Sequence, residues 1–153
     1  MTIKMDITIR KANSQDFAAV FGLFKEFSHF QKTPGKVLTT LDELIEDENY
    51  FQCLVAEDAN KAIIGFATFF FAYYSWTGRA IYLDDLYVTN AFRNQGIGKM
   101  LLEKVIDFAK DNKCKNVRWR VSKWNTNAID FYKKMGVVID EIDFNCEYSV
   151  RPG

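Results

Sequence analysis

Between Met5 and Ala12 the chain reads "MDITIRKA", apolar and polar residues in alternation, the pattern of a half-buried strand. Asn13 or Ser14 then stands where a helix cap belongs, ahead of "QDFAAVFGLFKEFSHF", whose apolar residues recur at helical spacing. The Pro34-Gly35 dipeptide breaks that spacing. After it, Thr39 or Thr40 can cap a short second helix, "LDELIED", with its acidic face toward solvent. Three strand-like runs follow, "YFQCLVAED", "AIIGFATFFFAYY" and "RAIYLDDLYVT", with "ANK" and "SWTG" as short turns between them, which predicts an antiparallel meander. Leu101, Leu102, Val105, Ile106 and Ala109 make the apolar stripe of a helix that ends near Asn112. "NVRWRVS" alternates again as a strand. "NTNAIDFYKKMG" has Asn125 as its N-cap, Ala128, Ile129, Tyr132 and Met135 on one face, and Gly136 at a left-handed C-terminal cap. Two further strand runs, "VVIDEI" and "FNCEYSV", close the chain. No repeat, linker or compositional break divides it, so residues 1–153 are expected to form one α/β domain, a mixed sheet of about six to seven strands with helices on both faces.

Composition narrows the function classes. With 153 residues, 48% of them hydrophobic and 16% aromatic, the chain can bury one substantial core and is not a disordered segment. Twenty basic and twenty acidic residues leave no net field toward nucleic acid or an anionic membrane. The longest apolar stretches fall short of the ~20 residues that span a bilayer, and the N-terminus lacks a signal pattern, so a cytoplasmic location is expected. Cys53, Cys114 and Cys146 are odd in number and far apart, which argues against a disulfide framework or a C-x-x-C site. His29 is the only histidine, so a multi-histidine metal centre or a Ser-His-Asp triad is not expected. No metal is expected, and chemistry must come from carboxylates, tyrosine, hydroxyls or backbone.

One stretch stands apart from the alternating pattern. "FRNQGIGKMLLEKV" places Arg93, Asn94, Gln95, Gly96, Ile97, Gly98 and Lys99 between a strand and a helix, so the loop amides project at a helix N-terminus. Unpaired N–H groups and the helix dipole make such a place receptive to anions. Gly96 and Gly98 let backbone approach a bulky anion, and Arg93 and Lys99 can add charge from the flanks. The pattern is neither G-x-x-x-x-G-K-[ST] nor G-x-G-x-x-G, so a mononucleotide P-loop and a dinucleotide fold are not indicated. A diphosphate is the natural guest; taken alone, the motif also reads as a glycine-bearing turn that opens an amphipathic helix.

The motif has company. "RNQGIG" after "YLDDLYV" resembles the acetyl-coenzyme A signature R/Q-x-x-G-x-G/A of the GNAT superfamily of N-acetyltransferases, and "WNTNAIDFYKKMG" is similar to that family's N-x-x-A-x-x-F-Y-x-x-x-G motif. Within it, "WTGRAIYLDDLYVTNAFRNQGIG" and "WRVSKWNTNAIDFYKKMG" resemble the diamine (spermidine/spermine N1-) acetyltransferase branch, and the likeness covers nearly the whole chain. The resemblance implies a GNAT fold, mostly antiparallel with a splayed central strand pair, and direct transfer of an acetyl group from acetyl-CoA to a small-molecule primary amine in a ternary complex. The diamines, polyamines and thialysine-like amino acids are the implied acceptors, and a homodimer the implied assembly. Acylation of a protein or peptide, or a non-catalytic acyl-CoA-binding regulatory module, is the alternative.

Carried over residue by residue, the resemblance assigns the cofactor to the backbone of Leu86, Tyr87 and Val88, to Arg93 through Lys99, and to Asn125 and Ala128 on the opposite wall. Tyr132 matches the residue that protonates the departing thiolate. Asp84 stands where the branch usually carries glutamate as a water-linked proton acceptor. Adjacent residues on a strand point to opposite faces, so only one of Asp84 and Asp85 is expected to line the amine pocket directly. Trp76 matches an aromatic position near the amine, able to cover a cationic chain with its ring face. Phe30 and Gln31 match a tyrosine–glutamate pair that helps bind polyamines, with Gln31 lacking the charge; Asp143 is a candidate replacement for that anchor.

Overall fold

A computed structural model of the chain describes residues 6–143 and 145–150; Met5 and Phe144, the first residues of two expected strand runs, lie outside them. The chain falls into two compact units, Met1–Trp119 and Arg120–Gly153. In the first, β1 (Thr8–Lys11), α1 (Phe17–Phe30), α2 (Leu41–Glu46), β2 (Gln52–Glu57), β3 (Ile63–Tyr74), β4 (Gly78–Val88), α3 (Ile97–Asp111) and β5 (Asn116–Arg118) follow one another. The strands lie side by side in chain order. β1 to β4 are antiparallel and β5 joins β4 in parallel, the one pairing that needs a helical crossover, which α3 supplies.

The sheet is covered on both sides because β3 is apolar on both faces. Phe66 and Phe69 are three residues apart and therefore point opposite ways. The ring of Phe66 lies 5.0 Å from Phe24 of α1, and that of Phe69 lies 5.1 Å from Phe108 of α3. Both are fully buried, each worth about 2–3 kcal/mol relative to exposure. Leu101, Leu102, Val105 and Ala109 of the anticipated α3 stripe are all buried. Gly65 is needed where strand and helix crowd, since a Cβ there would sit 2.9 Å from the Tyr87 carbonyl oxygen.

The start of α1 is anchored by charge. Asn13 and Asp16 form a reciprocal capping box ahead of the helix. Arg10 of β1 donates to both Asp16 oxygens, at 2.7 and 2.9 Å, and to Glu57 of β2 at 2.8 and 3.0 Å. The guanidinium holds the Asp16 carboxyl below its ordinary value. A carboxyl depressed on folding stabilises above its unfolded pKa of about 3.9 and loses that contribution as pH falls through the folded value. Asp16→Asn is therefore expected to cost about 1 kcal/mol at neutral pH. Denaturant midpoints measured against pH should show the gap to wild type closing below about pH 4.

Two sequence expectations about strands need correction. "NVRWRVS" yields only the three residues of β5, Asn116–Arg118. Among the described residues the sheet has five strands, not six or seven, because residues 137–143 and 145–150 join no ladder. Alternation marks a strand's two faces, yet a strand exists only where another edge accepts its hydrogen bonds. Val138, Ile142, Tyr148 and Val150 are exposed instead.

A further departure lies within β4 and concerns alternation itself. Thr68 stands opposite Asp85 and Phe69 opposite Leu83, so Asp84 is one extra residue inserted into β4. Leu83 shares a face with Phe69, and Asp85 shares the other with Thr68. Alternation along β4 therefore matches that of β3 only by passing over Asp84, because a bulge resets the period of two.

In the second unit, α4 (Thr126–Lys134) begins where the Asn125 side chain accepts from the Ala128 N–H at 3.3 Å. Gly136 follows at φ 83, the left-handed cap its position predicted.

Candidate functional site

The loop between β4 and α3 owes its shape to two left-handed residues, Asn94 at φ 62 and Gly96 at φ 81. Asparagine tolerates that region and glycine is at home in it. Gly96 is the N-cap of α3 and, lacking a side chain, contributes no cap hydrogen bond. The first bond of the helix runs from the Met100 N–H to the Gly96 carbonyl at 3.0 Å, so the amides of Ile97, Gly98 and Lys99 have no acceptor inside the helix. A Cβ on Gly96 would meet nothing within 4 Å, and one on Gly98 only Val88 Cγ2 at 4.0 Å. Intrachain packing therefore does not demand either glycine; the space beside them is open to a guest. A diphosphate suits these donors: several N–H groups converge, the dipole of a fifteen-residue helix points its positive end outward, and no side chain intrudes.

The flanking charges behave differently from each other. Lys99 makes only a loose surface pair with Glu103 at 3.8 Å, both half exposed, so its ammonium can turn toward an anion. Arg93 is committed to the protein. Its Nε donates to the Val88 carbonyl at 3.0 Å, and its guanidinium lies 4.3 Å from the centre of the Phe30 ring and 5.2 Å from that of Tyr87. Arg93 thus ties the loop to the strand end, and Phe30 lies beneath it.

β4 ends in Leu86, Tyr87 and Val88. Its ladder with β5 closes at Tyr82–Arg118, while the strand itself continues to Val88. From Leu83 to Val88, β4 therefore runs on beyond its last pair with β5. Tyr87 is buried against Phe27, whose ring stacks on it at 4.9 Å. Its phenol is pushed above the ordinary value, chiefly by burial and then by Glu26.

Of the residues expected to face the amine, Asp84 is exposed at the bulge and Asp85 is half-buried. Gln31 is the C-cap of α1. Trp76 lies in the turn joining β3 to β4 and is 98% exposed, so its ring faces remain accessible. Asp143 is exposed in irregular chain of the second unit. There too, Ala128, Ile129, Tyr132 and Met135, the face the sequence predicted, are half-buried along α4 together with Phe131, while Thr126, Asn127, Asp130, Lys133 and Lys134 are exposed.

Against known proteins, a model of the acetyltransferase (GNAT) family matches residues 17–137. The chain belongs to that family. This acetyltransferase is 35% identical over 141 residues to thialysine N-epsilon-acetyltransferase of Sus scrofa, covering 85% of this chain and 83% of that one. It is 31% identical over 140 residues to spermidine/spermine N(1)-acetyltransferase-like protein 1 of Homo sapiens, covering 85% of this chain but 20% of that larger protein. Among solved structures, an aminoglycoside acetyltransferase from an uncultured soil metagenomic sample superposes with a TM-score of 0.78 over 95% of this chain and 97% of that one. At 22% identity that likeness establishes the fold alone.

Two residues of the acetyltransferase gave no signal in the sequence. Glu26 accepts from the Thr89 hydroxyl at 2.6 Å, across 63 positions of chain. Arg118 lies 3.7 Å over the Tyr74 ring and donates to the Thr77 hydroxyl. Glu26 sits between Lys25 and Phe27 in the sequence, and its partner lies too far along the chain for spacing to reveal it. Among the described residues no cluster of three or more His, Cys, Asp or Glu could hold a metal ion, and no helix is long and apolar enough to cross a membrane.

Proposed function

We propose that this chain transfers the acetyl group of acetyl-CoA to a primary amine of a small molecule, a diamine, a polyamine or a thialysine-like amino acid, by direct attack in a ternary complex. The observation that carries this reading is the uncapped opening of α3 immediately after β4, with open space beside Gly96 and Gly98. The names of the related thialysine and spermidine/spermine enzymes support the acceptor class. By the same resemblance the working assembly is a homodimer.

When bound, acetyl-CoA supplies an activated thioester. The amides of Ile97, Gly98 and Lys99 hold its diphosphate, with Asn94, Gln95 and Gly96 shaping the cradle and Lys99 adding charge. The backbone of Leu86, Tyr87 and Val88 offers the pantetheine a strand edge. Asn125 spends its oxygen on the Ala128 N–H, which leaves its amide hydrogens to donate. Tyr132 gives its proton to the departing thiolate; a phenol with a reference pKa of about 10 is protonated at neutral pH and needs no tuning for that task.

The amine must shed a proton first. For an alkyl ammonium of pKa about 10.4 this costs roughly 4.6 kcal/mol at pH 7. Asp84, carried outward by the bulge, takes that proton through water. An acidic group also raises the pKa of the cation it attracts, so the proton must pass on to bulk solvent. Exposure of Asp84 suits that relay. Asp85, Trp76, Gln31, Phe30 and Asp143 complete the acceptor side, with Phe30 acting partly through Arg93.

Purified protein mixed with acetyl-CoA and a panel of amines should release free thiol with at least one member of this class. Tight CoA binding with no release from any amine would replace this reading with a regulatory one. Asp84→Asn should move the activity profile toward higher pH, where more amine is already neutral. An unshifted profile in a thiol-release titration removes Asp84 as proton acceptor.

A further inference from the structure

Thr89 follows the last residue of β4 and begins the turn that leads through Asn94 and Gly96 into α3. Both of its polar donors are fixed. The N–H reaches the Ile64 carbonyl on β3 at 2.9 Å, and the hydroxyl reaches the Glu26 carboxylate on α1 at 2.6 Å. The turn then closes on this residue, with the Phe92 N–H donating to the Thr89 carbonyl at 3.0 Å and Arg93 Nε returning to the Val88 carbonyl. Glu26, Phe27 and Phe30, from the last two turns of α1, thus engage the strand end and the loop start together: Glu26 through Thr89, Phe27 through Tyr87, Phe30 through Arg93.

A loop that must order itself around a ligand loses conformational freedom on binding, and that loss weakens affinity. Holding one end of the loop in place beforehand removes part of the cost. The far end of this loop is already rigid, because Ile97, Leu101 and Leu102 are buried. The near end depends on Thr89. We infer that Glu26 is a positioning residue for cofactor binding, fixing the near pivot of the diphosphate loop through the Thr89 hydroxyl; this rests on the acyl-donor reading above. The raised pKa of the Tyr87 phenol, to which Glu26 contributes, agrees with a carboxylate facing this strand end.

The test is calorimetric binding of CoA to the full chain and to Glu26→Ala, Thr89→Val, the double variant and Glu26→Gln, with melting temperatures alongside. Each single variant is expected to weaken CoA about tenfold, the scale of one hydrogen bond to a charged group. The double variant should be no weaker than Glu26→Ala, because the Thr89 change removes a contact already lost with Glu26, whose carboxylate also faces the Tyr87 phenol. Glu26→Gln, which keeps an acceptor oxygen for Thr89, should recover most of the affinity. Wild-type protein that binds no CoA sinks the acyl-donor reading and this inference with it. Normal CoA affinity in Glu26→Ala overturns the positioning role alone. So do additive losses in the double variant, failure of Glu26→Gln to rescue, or an affinity loss that merely follows a fall in melting temperature.

Discussion

Tyr132→Phe is expected to reduce turnover by about 10²-fold or more, the usual contribution of a positioned general acid, while CoA affinity stays within about twofold of wild type. The substitution removes one oxygen and keeps the ring that packs near Phe131, 5.5 Å away, so α4 should remain folded. Without the phenol the thiolate must leave unprotonated or draw its proton from water, and that penalty falls on the chemical step. Steady-state thiol release and CoA calorimetry separate the two quantities. Equal losses in both would assign Tyr132 a packing role on α4.

Gly96→Val should show the opposite signature, CoA affinity lowered by about one to two orders of magnitude with the fold preserved. A β-branched residue at φ 81 is strained by roughly 1–2 kcal/mol, and relief requires the turn to change shape. The amides of Ile97, Gly98 and Lys99 then lose their common direction. Stability should suffer less than binding, since α3 is held by Leu101, Leu102 and Val105 well inside the helix. Gly98→Ala is the informative contrast: its backbone is not left-handed, and its Cβ would make ordinary contact with Val88. Its effect reports on crowding of the guest alone. Calorimetry with CoA and thermal melts of both variants check the pair of expectations.

Helix positions were the most legible part of the fold because their signals are local. Asn13, Thr40 and Asn125 each cap through their own side chain, and the α3 stripe is buried as its spacing required. The glycine loop was equally readable, since a left-handed residue before an apolar helix leaves a mark in the sequence itself. Strand ends were not. Whether "VVIDEI" becomes a strand depends on an edge supplied from elsewhere in the chain, and whether β4 alternates to its end depends on the register chosen by β3. Arg93 shows the same limit at the site. Its place in the motif suggested charge for a ligand, whereas Val88 and Phe30, close in space but separate in sequence, engage it instead. Glu26 and Thr89 are invisible for the same reason.

The insertion at Asp84 leaves the two halves of β4 out of phase, Leu83 turned with Phe69 toward α3 and Tyr87 turned with Phe66 toward α1. Removing Asp84 would let Leu83 and Asp85 follow each other opposite Phe69 and Thr68 in an unbroken ladder, with Leu86 still opposite Ala67 and Tyr87 still opposite Phe66, so the Tyr87 stack with Phe27 and the strand end leading into the glycine loop would keep their places. The extra residue is therefore dispensable to the sheet, and what it adds is an exposed carboxylate partway along β4.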